Sequence, residues 1–175
     1  MNRIPQSEEL CGIAKIQIAR SKQAIIEPEN ASELPQFTSI VDEALYLFRA
    51  NIFFKNFEIK GPADRTLLYS LLFLQDCLSQ VTASPGKSRK ELEKSLLIKA
   101  SGSNFPIPGD SGFNLSAIFP APKSRNEGDA LRQYLTELRV ELVHGLLDKL
   151  FAGEAVEPSH WWLSLSKRKF MNKTL

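Results

Sequence analysis

Between residues 67 and 78 the chain carries Leu67, Leu68, Tyr69, Leu71, Leu72, Phe73, Leu74, Cys77 and Leu78. On a helix these positions cover nearly every face, and a helix that is apolar all round must be enclosed on all sides. Pro62 stands at a plausible first helical position, and Asp64 lies in the first turn, where a carboxylate favours the positive helix end. A helix over 62–81 is therefore the expected centre of the fold, and the rest of the chain has to supply its walls.

Most of the walls read as helices too. Leucine occurs 24 times and valine 5 times, a preference for an unbranched helix former over a β-branched residue. Val41, Leu45, Phe48 and Ile52 recur at steps of four and three behind a capping box of Ser39 and Asp42, which predicts a helix from Ser39 to about Asn56. After the break at Ser84, Pro85 and Gly86, the segment from Lys87 to Ala100 sets Leu92 and Leu96 on one side and charges on the other, the pattern of a surface helix. Leu131, Leu135, Leu138, Leu142, Leu146 and Leu150 mark a helix from about Asp129 to Phe151, and Pro158 opens a short last one through Trp161, Trp162 and Leu165.

Residues 101–122 hold four prolines, three glycines and a single charge, Asp110, together with Phe105, Ile107, Phe113, Leu115, Ile118 and Phe119. A loop of that length and apolarity is expected to wrap over the core. The expected fold is thus all-α. Residues 39–175 form a compact single domain of about five helices, with one central helix surrounded by the others and a basic C-terminal tail, and residues 1–38 form an extended N-terminal arm.

The sequence carries no recognisable catalytic constellation. The histidines, His144 and His160, sit in no motif; His144 points away from its helix stripe, and His160 reads as part of a packed helix start. No converging set of metal ligands occurs, and Gly102, Gly109 and Gly112 do not make a phosphate-cradling loop. Cys11 and Cys77 are far apart and read as reduced thiols of an intracellular protein, which leans towards cytoplasm or nucleus. The longest uncharged stretch, Ser111 to Pro122, is far short of the roughly 20 apolar residues of a membrane span. No enzyme, cofactor or integral membrane association is expected.

What remains is interaction surface. Net charge is +2, but from His160 onward Lys167, Arg168, Lys169 and Lys173 face no acid, so a mildly acidic body carries a basic tail. Trp161, Trp162, Lys167, Arg168, Lys169, Phe170, Met171 and Asn172 combine aromatic anchors with cations, the residue types that dominate interface hot spots. Phe53 to Lys60 likewise interleaves aromatics and charge, and Phe54, Lys55, Asn56 and Lys60 are its contact candidates. On residues alone, a solvated tail and core aromatics stay open as alternatives.

The blocks Ile40-Val41-Asp42-Glu43-Ala44, Phe48-Arg49-Ala50-Asn51-Ile52-Phe53-Phe54-Lys55-Asn56-Phe57-Glu58-Ile59-Lys60 and Pro62-Ala63-Asp64-Arg65 are followed by Phe105-Pro106-Ile107-Pro108-Gly109, Gly112-Phe113, Trp161-Trp162 and Lys169-Phe170-Met171-Asn172-Lys173. In this order the chain resembles the third (21 kDa) subunit family of the actin-related protein 2/3 complex. The resemblance implies a helical fold with one enclosed helix. It also implies a cytoplasmic, cytoskeletal role as a non-catalytic subunit of a seven-protein assembly that nucleates actin branches, with actin-related proteins, the other subunits and actin filaments as partners. Asn114 stands where that family usually has a proline, and His160 where a lysine is common. The rival expectation is a free-standing helical protein that binds nucleic acid or acidic membranes through the basic tail.

Overall fold

The computed structural model describes residues 8–19, 25–26, 36–51, 58–153, 155–167 and 175. Among them are five helices: α1 (Ile40–Asn51), α2 (Pro62–Thr82), α3 (Arg89–Ser101), α4 (Arg125–Leu150) and α5 (His160–Leu165). α2 is the enclosed centre. Every residue from Thr66 to Gln75 is buried, and α1, α3, α4, α5 and the N-terminal segment all pack against it. Its start is capped from within: the Asp64 carboxylate accepts the backbone N–H groups of Lys60 and Gly61, both at 2.9 Å, which answers donors that the first turn leaves free.

The other helix starts follow the same chemistry. At α1, the Asp42 N–H donates to Ser39 Oγ at 3.1 Å, and the Ser39 hydroxyl donates to the Asp42 carboxylate at 2.7 Å. Ser88 and Glu91 form the corresponding box at α3. α4 begins at Arg125, four residues ahead of the expected start, because Ser124 caps it by accepting the Glu127 N–H at 3.2 Å before the leucine stripe begins. α3 lies antiparallel on α4: Leu92, Leu96 and Ala100 are buried, Arg89 pairs with Asp148 at 2.6 Å, and Glu93 faces His144 at 3.5 Å. The long loop does close over the core, burying Ile107, Phe113, Leu115 and Phe119. Arg132 of α4 ties it down by donating to the carbonyls of Ser103 and Phe105 and to the Asp110 carboxylate.

The all-α expectation needs correction. Two small antiparallel sheets are present, β1 (Glu8–Leu10) with β2 (Ile13–Lys15), and β3 (Ile25–Ile26) with β4 (Gln36–Phe37). The described start of the expected arm is a hairpin built into the core, with Leu10, Cys11, Ile13, Ala14 and Ile16 buried. Its two-residue turn places Cys11 at φ 52° and Gly12 at φ 73°, the left-handed pair that matches strand twist in a tight hairpin. Tertiary bonds then hold it. Thr66 Oγ1 donates to the Ala14 carbonyl at 2.8 Å, Tyr134 bridges both backbone groups of Ile16, and Glu127 accepts the Cys11 N–H at 3.1 Å. His160 is another correction: it heads α5 but is exposed, because the packing at that helix falls to Trp162 and Leu165.

The seam between α1 and α2 buries a carboxylic acid. Glu43 is 7% exposed, and burial, reinforced by the negative charge of Asp64, pushes its pKa up to about 7. The folded chain therefore binds this proton more tightly than the unfolded chain, and stability falls as pH rises from about 4.5 through 7. Glu43→Gln removes that loss. At pH 8 the variant is expected to be more stable than the parent by about 3 kcal/mol, and near pH 4 the two should coincide. Paired urea titrations at the two pH values check this, and equal midpoints at pH 8 would refute it.

Candidate partner interface

Residues of α1 and the two tryptophans of α5 meet in an aromatic cluster. Trp161 and Trp162 are neighbours on a helix, so they point about 100° apart and cannot share one environment. Trp162 turns inward: it is 7% exposed and stacks on Phe48 of α1, with ring centroids 6.0 Å apart and planes 16° apart. Trp161 turns outward and stays 43% exposed, edge-on to Trp162 at 5.5 Å. The Arg49 guanidinium lies 4.1 Å from the centroid of the Trp161 ring, close enough for cation–π attraction that orients both groups. Tyr46, one turn before on α1, is 48% exposed and leans on Phe37 at 5.2 Å.

Together these groups border a cleft of about 770 Å³, whose floor includes Leu45, Trp162 and Leu165 and whose rim includes Tyr46, Arg49, Lys149 and Trp161. A second hollow of about 580 Å³ continues from Arg49, Lys149 and Trp161 towards Ala155 and Glu157. Asp42 also lines the cleft, but its carboxylate is engaged by the Ser39 hydroxyl, so the exposed charges at the rim are the cations Arg49 and Lys149. Exposed aromatic rings set beside cations give area, rigidity and charge at low entropic cost, which suits recognition of a protein surface.

The residues expected at the interface do not all gather here. Trp161 and Trp162 do, Trp162 as a buried support. Lys167 is exposed just beyond Ser166, whose hydroxyl accepts from Thr82 Oγ1 at 2.8 Å, so it sits by the C-terminal end of α2. Lys60 lies at the other end of α2, roughly 30 Å away at 1.5 Å per residue, where it pairs with Glu58 at 3.2 Å. Phe54, Lys55, Asn56, Arg168, Lys169, Phe170, Met171 and Asn172 lie outside the described residues, as does the expected extension of α1 beyond Asn51. Tyr46, Arg49 and Lys149 were missed. Tyr46 stands off the Val41, Leu45, Phe48 stripe, and an aromatic residue off the core stripe is the signal that would have found it.

Reactive groups are few. Burial pushes both the Cys11 and the Cys77 thiol up to about 12, with Glu127 adding to the effect at Cys11, so neither is a thiolate at neutral pH. Among the described residues no group of three or more His, Cys, Asp or Glu side chains converges on a metal position, and no helix is long and apolar enough to cross a membrane.

The model of the P21-Arc family, the ARP2/3 complex ARPC3 (21 kDa) subunit, matches residues 2–175. Actin-related protein 2/3 complex subunit 3 of Schizosaccharomyces pombe is 48% identical over 136 residues, covering 78% of this chain and 76% of its own. The protein of the same name from Saccharomyces cerevisiae is 43% identical over 141 residues, with 78% and 76% covered. A probable actin-related protein 2/3 complex subunit 3 of Caenorhabditis elegans is 43% identical over 136 residues, with 78% and 73% covered.

Proposed function

This chain belongs to the P21-Arc family, that of the ARP2/3 complex ARPC3 (21 kDa) subunit, and from that premise we propose that it is a structural, non-catalytic subunit of an actin-related protein 2/3 complex. It supports nucleation and branching of actin filaments by holding the actin-related proteins and the other subunits in place, in the cytoplasm and on the cytoskeleton. The observation that carries the reading is the family relation over residues 2–175, and the exposed Trp161, Arg49 and Tyr46 surface is the docking face proposed for it. The free-standing, tail-driven alternative is not favoured, because the family relation runs over residues 2–175 rather than over the tail alone.

Subunit docking is tested by tagging the chain, purifying it from its own cells in moderate salt and identifying what comes with it. The expected result is recovery with two actin-related proteins and further subunits at equal stoichiometry. Recovery of the chain alone refutes the function. Trp161→Ala combined with Arg49→Ala is expected to weaken incorporation by roughly 30-fold or more, as loss of a hot spot of about 2 kcal/mol does, while the isolated variant unfolds within a few degrees of the parent. Unchanged incorporation would move the interface elsewhere and leave the function standing.

A further inference from the structure

α2, α3, α4 and the long loop border a hollow of about 290 Å³ that shares no residue with the cleft at Trp161. Most of its wall is apolar, supplied by Phe73 of α2, Phe105 and Phe113 of the loop, and Leu175. One group does not suit such a wall. Arg139 of α4 lines the hollow with 5% of its surface exposed, and among the described residues no carboxylate lies within ion-pair distance of it. The other charged groups on the hollow, Lys99 and Asp76, pair with each other. Tyr69 beside the guanidinium holds its proton, because burial pushes its pKa up to about 12, so it supplies no negative charge either.

A buried cation with no opposite charge is costly, and the groups around Arg139 offset that cost only in part. The rings of Phe73 and Phe105 attract the charge from 4.6 and 4.0 Å, but neither supplies an anion. Of the five N–H donors of a guanidinium, one on Nη2 bonds the Lys99 carbonyl at 2.7 Å, and the one on Nε has no partner. We propose that this hollow binds a small organic anion, a carboxylate carried on a flat apolar body, with the carboxylate paired to Arg139 and the body packed among Phe73, Phe105 and Phe113. A guanidinium is the side chain best matched to a carboxylate, because its fork of donors meets both oxygens. An apolar wall with few convergent polar groups is the usual make-up of a small-molecule site, and the volume, at the lower end for such sites, suits a single ring with a short acidic arm. A bare inorganic anion would leave the aromatic wall unused.

The probe is phenylacetate, titrated into the full chain while the arginine side-chain Nε–H resonances are followed by nuclear magnetic resonance. The Arg139 signal is identified as the one missing from Arg139→Met. It is expected to shift with a dissociation constant of about 1 mM or tighter, a reasonable affinity for so small a ligand. Phenylacetamide keeps the shape without the charge, and acetate keeps the charge without the ring; each is expected to bind roughly tenfold or more weakly. Arg139→Met, followed through the ring resonances of Phe73 and Phe105, is expected to lose phenylacetate binding by roughly tenfold or more. The amide and acetate comparisons need only the parent chain, so they decide the matter even where the variant folds poorly. Phenylacetamide binding within about twofold of phenylacetate would overturn the proposal by making the hollow merely apolar. So would acetate or inorganic phosphate binding as tightly as phenylacetate, or no shift of the Arg139 signal up to about 10 mM phenylacetate.

Discussion

Phe73→Ala is expected to cost about 3–5 kcal/mol, the range for deleting a buried aromatic ring, and to lower the thermal midpoint by roughly 10 °C or more for a chain of this size. The site has little room to absorb the change. Phe73 is 1% exposed at the middle of α2, and it already borders a hollow of about 290 Å³ shared with Tyr69, Phe105, Phe113 and Arg139, so the lost ring enlarges a void that α4 cannot collapse into without moving. The ring also faces a buried cation. Arg139 is 5% exposed, with its guanidinium 4.6 Å from the centroid of Phe73 and 4.0 Å from that of Phe105. One of its nitrogens donates to the Lys99 carbonyl at 2.7 Å and the guanidinium also interacts with the buried Tyr69 hydroxyl, while Nε has no partner, so the two rings add to the compensation for burying the charge. Thermal unfolding followed by far-ultraviolet circular dichroism reads the effect. A loss below about 2 kcal/mol would mean that the centre of the fold repacks, contrary to the enclosure argued for α2.

The same cluster explains why one part of the architecture could be read from the residues and another could not. α2 was legible because its signal is local and redundant: from Leu67 to Leu78 each turn repeats the demand for burial, and Pro62 and Asp64 mark the start. The Ser39 and Asp42 box was legible for the same reason, since capping chemistry acts over three residues. Arg139 was not. Within α4 it looks like any helix cation, and only the arrival of Phe105 from the long loop and Phe73 from α2 turns it into a buried, ring-sandwiched group. Trp161 and Trp162 pose a sharper case, because two identical side chains next to each other carry no information about which faces inward. Phe48, more than a hundred residues earlier, decides it by stacking on Trp162. The half of the candidate interface supplied by Tyr46, Arg49 and Lys149 was hidden likewise, since it exists only once α1, α4 and α5 are side by side.

The hairpin failed to register because its strands are three residues long, too short for alternation to show, and because a cysteine occupies a turn position where Asn or Gly is the usual signal. Gly12 is where that hidden element can be tested hardest. Gly12→Ala is expected to destabilise the chain by about 2–4 kcal/mol, from two independent causes. The residue holds φ at 73°, where any side chain costs roughly 1–2 kcal/mol. An added Cβ would also lie 2.8 Å from Cδ and 3.0 Å from Cγ of Pro120, a rigid ring that cannot swing aside, and overpacking of that kind typically costs about 1–3 kcal/mol. The neighbourhood resists relaxation because Arg65 spans it, donating from Nη1 to the Gly12 carbonyl at 3.2 Å and from Nε to the Ile118 carbonyl at 2.9 Å, so turn and loop are clamped to the first turns of α2 together. The strain should therefore appear in two places at once. Hydrogen exchange is expected to speed up in residues 8–16 and also in 115–120, more than a hundred residues away in sequence but across one contact in space. Faster exchange confined to the hairpin would mean that the turn yields on its own and that Pro120 is not part of its support.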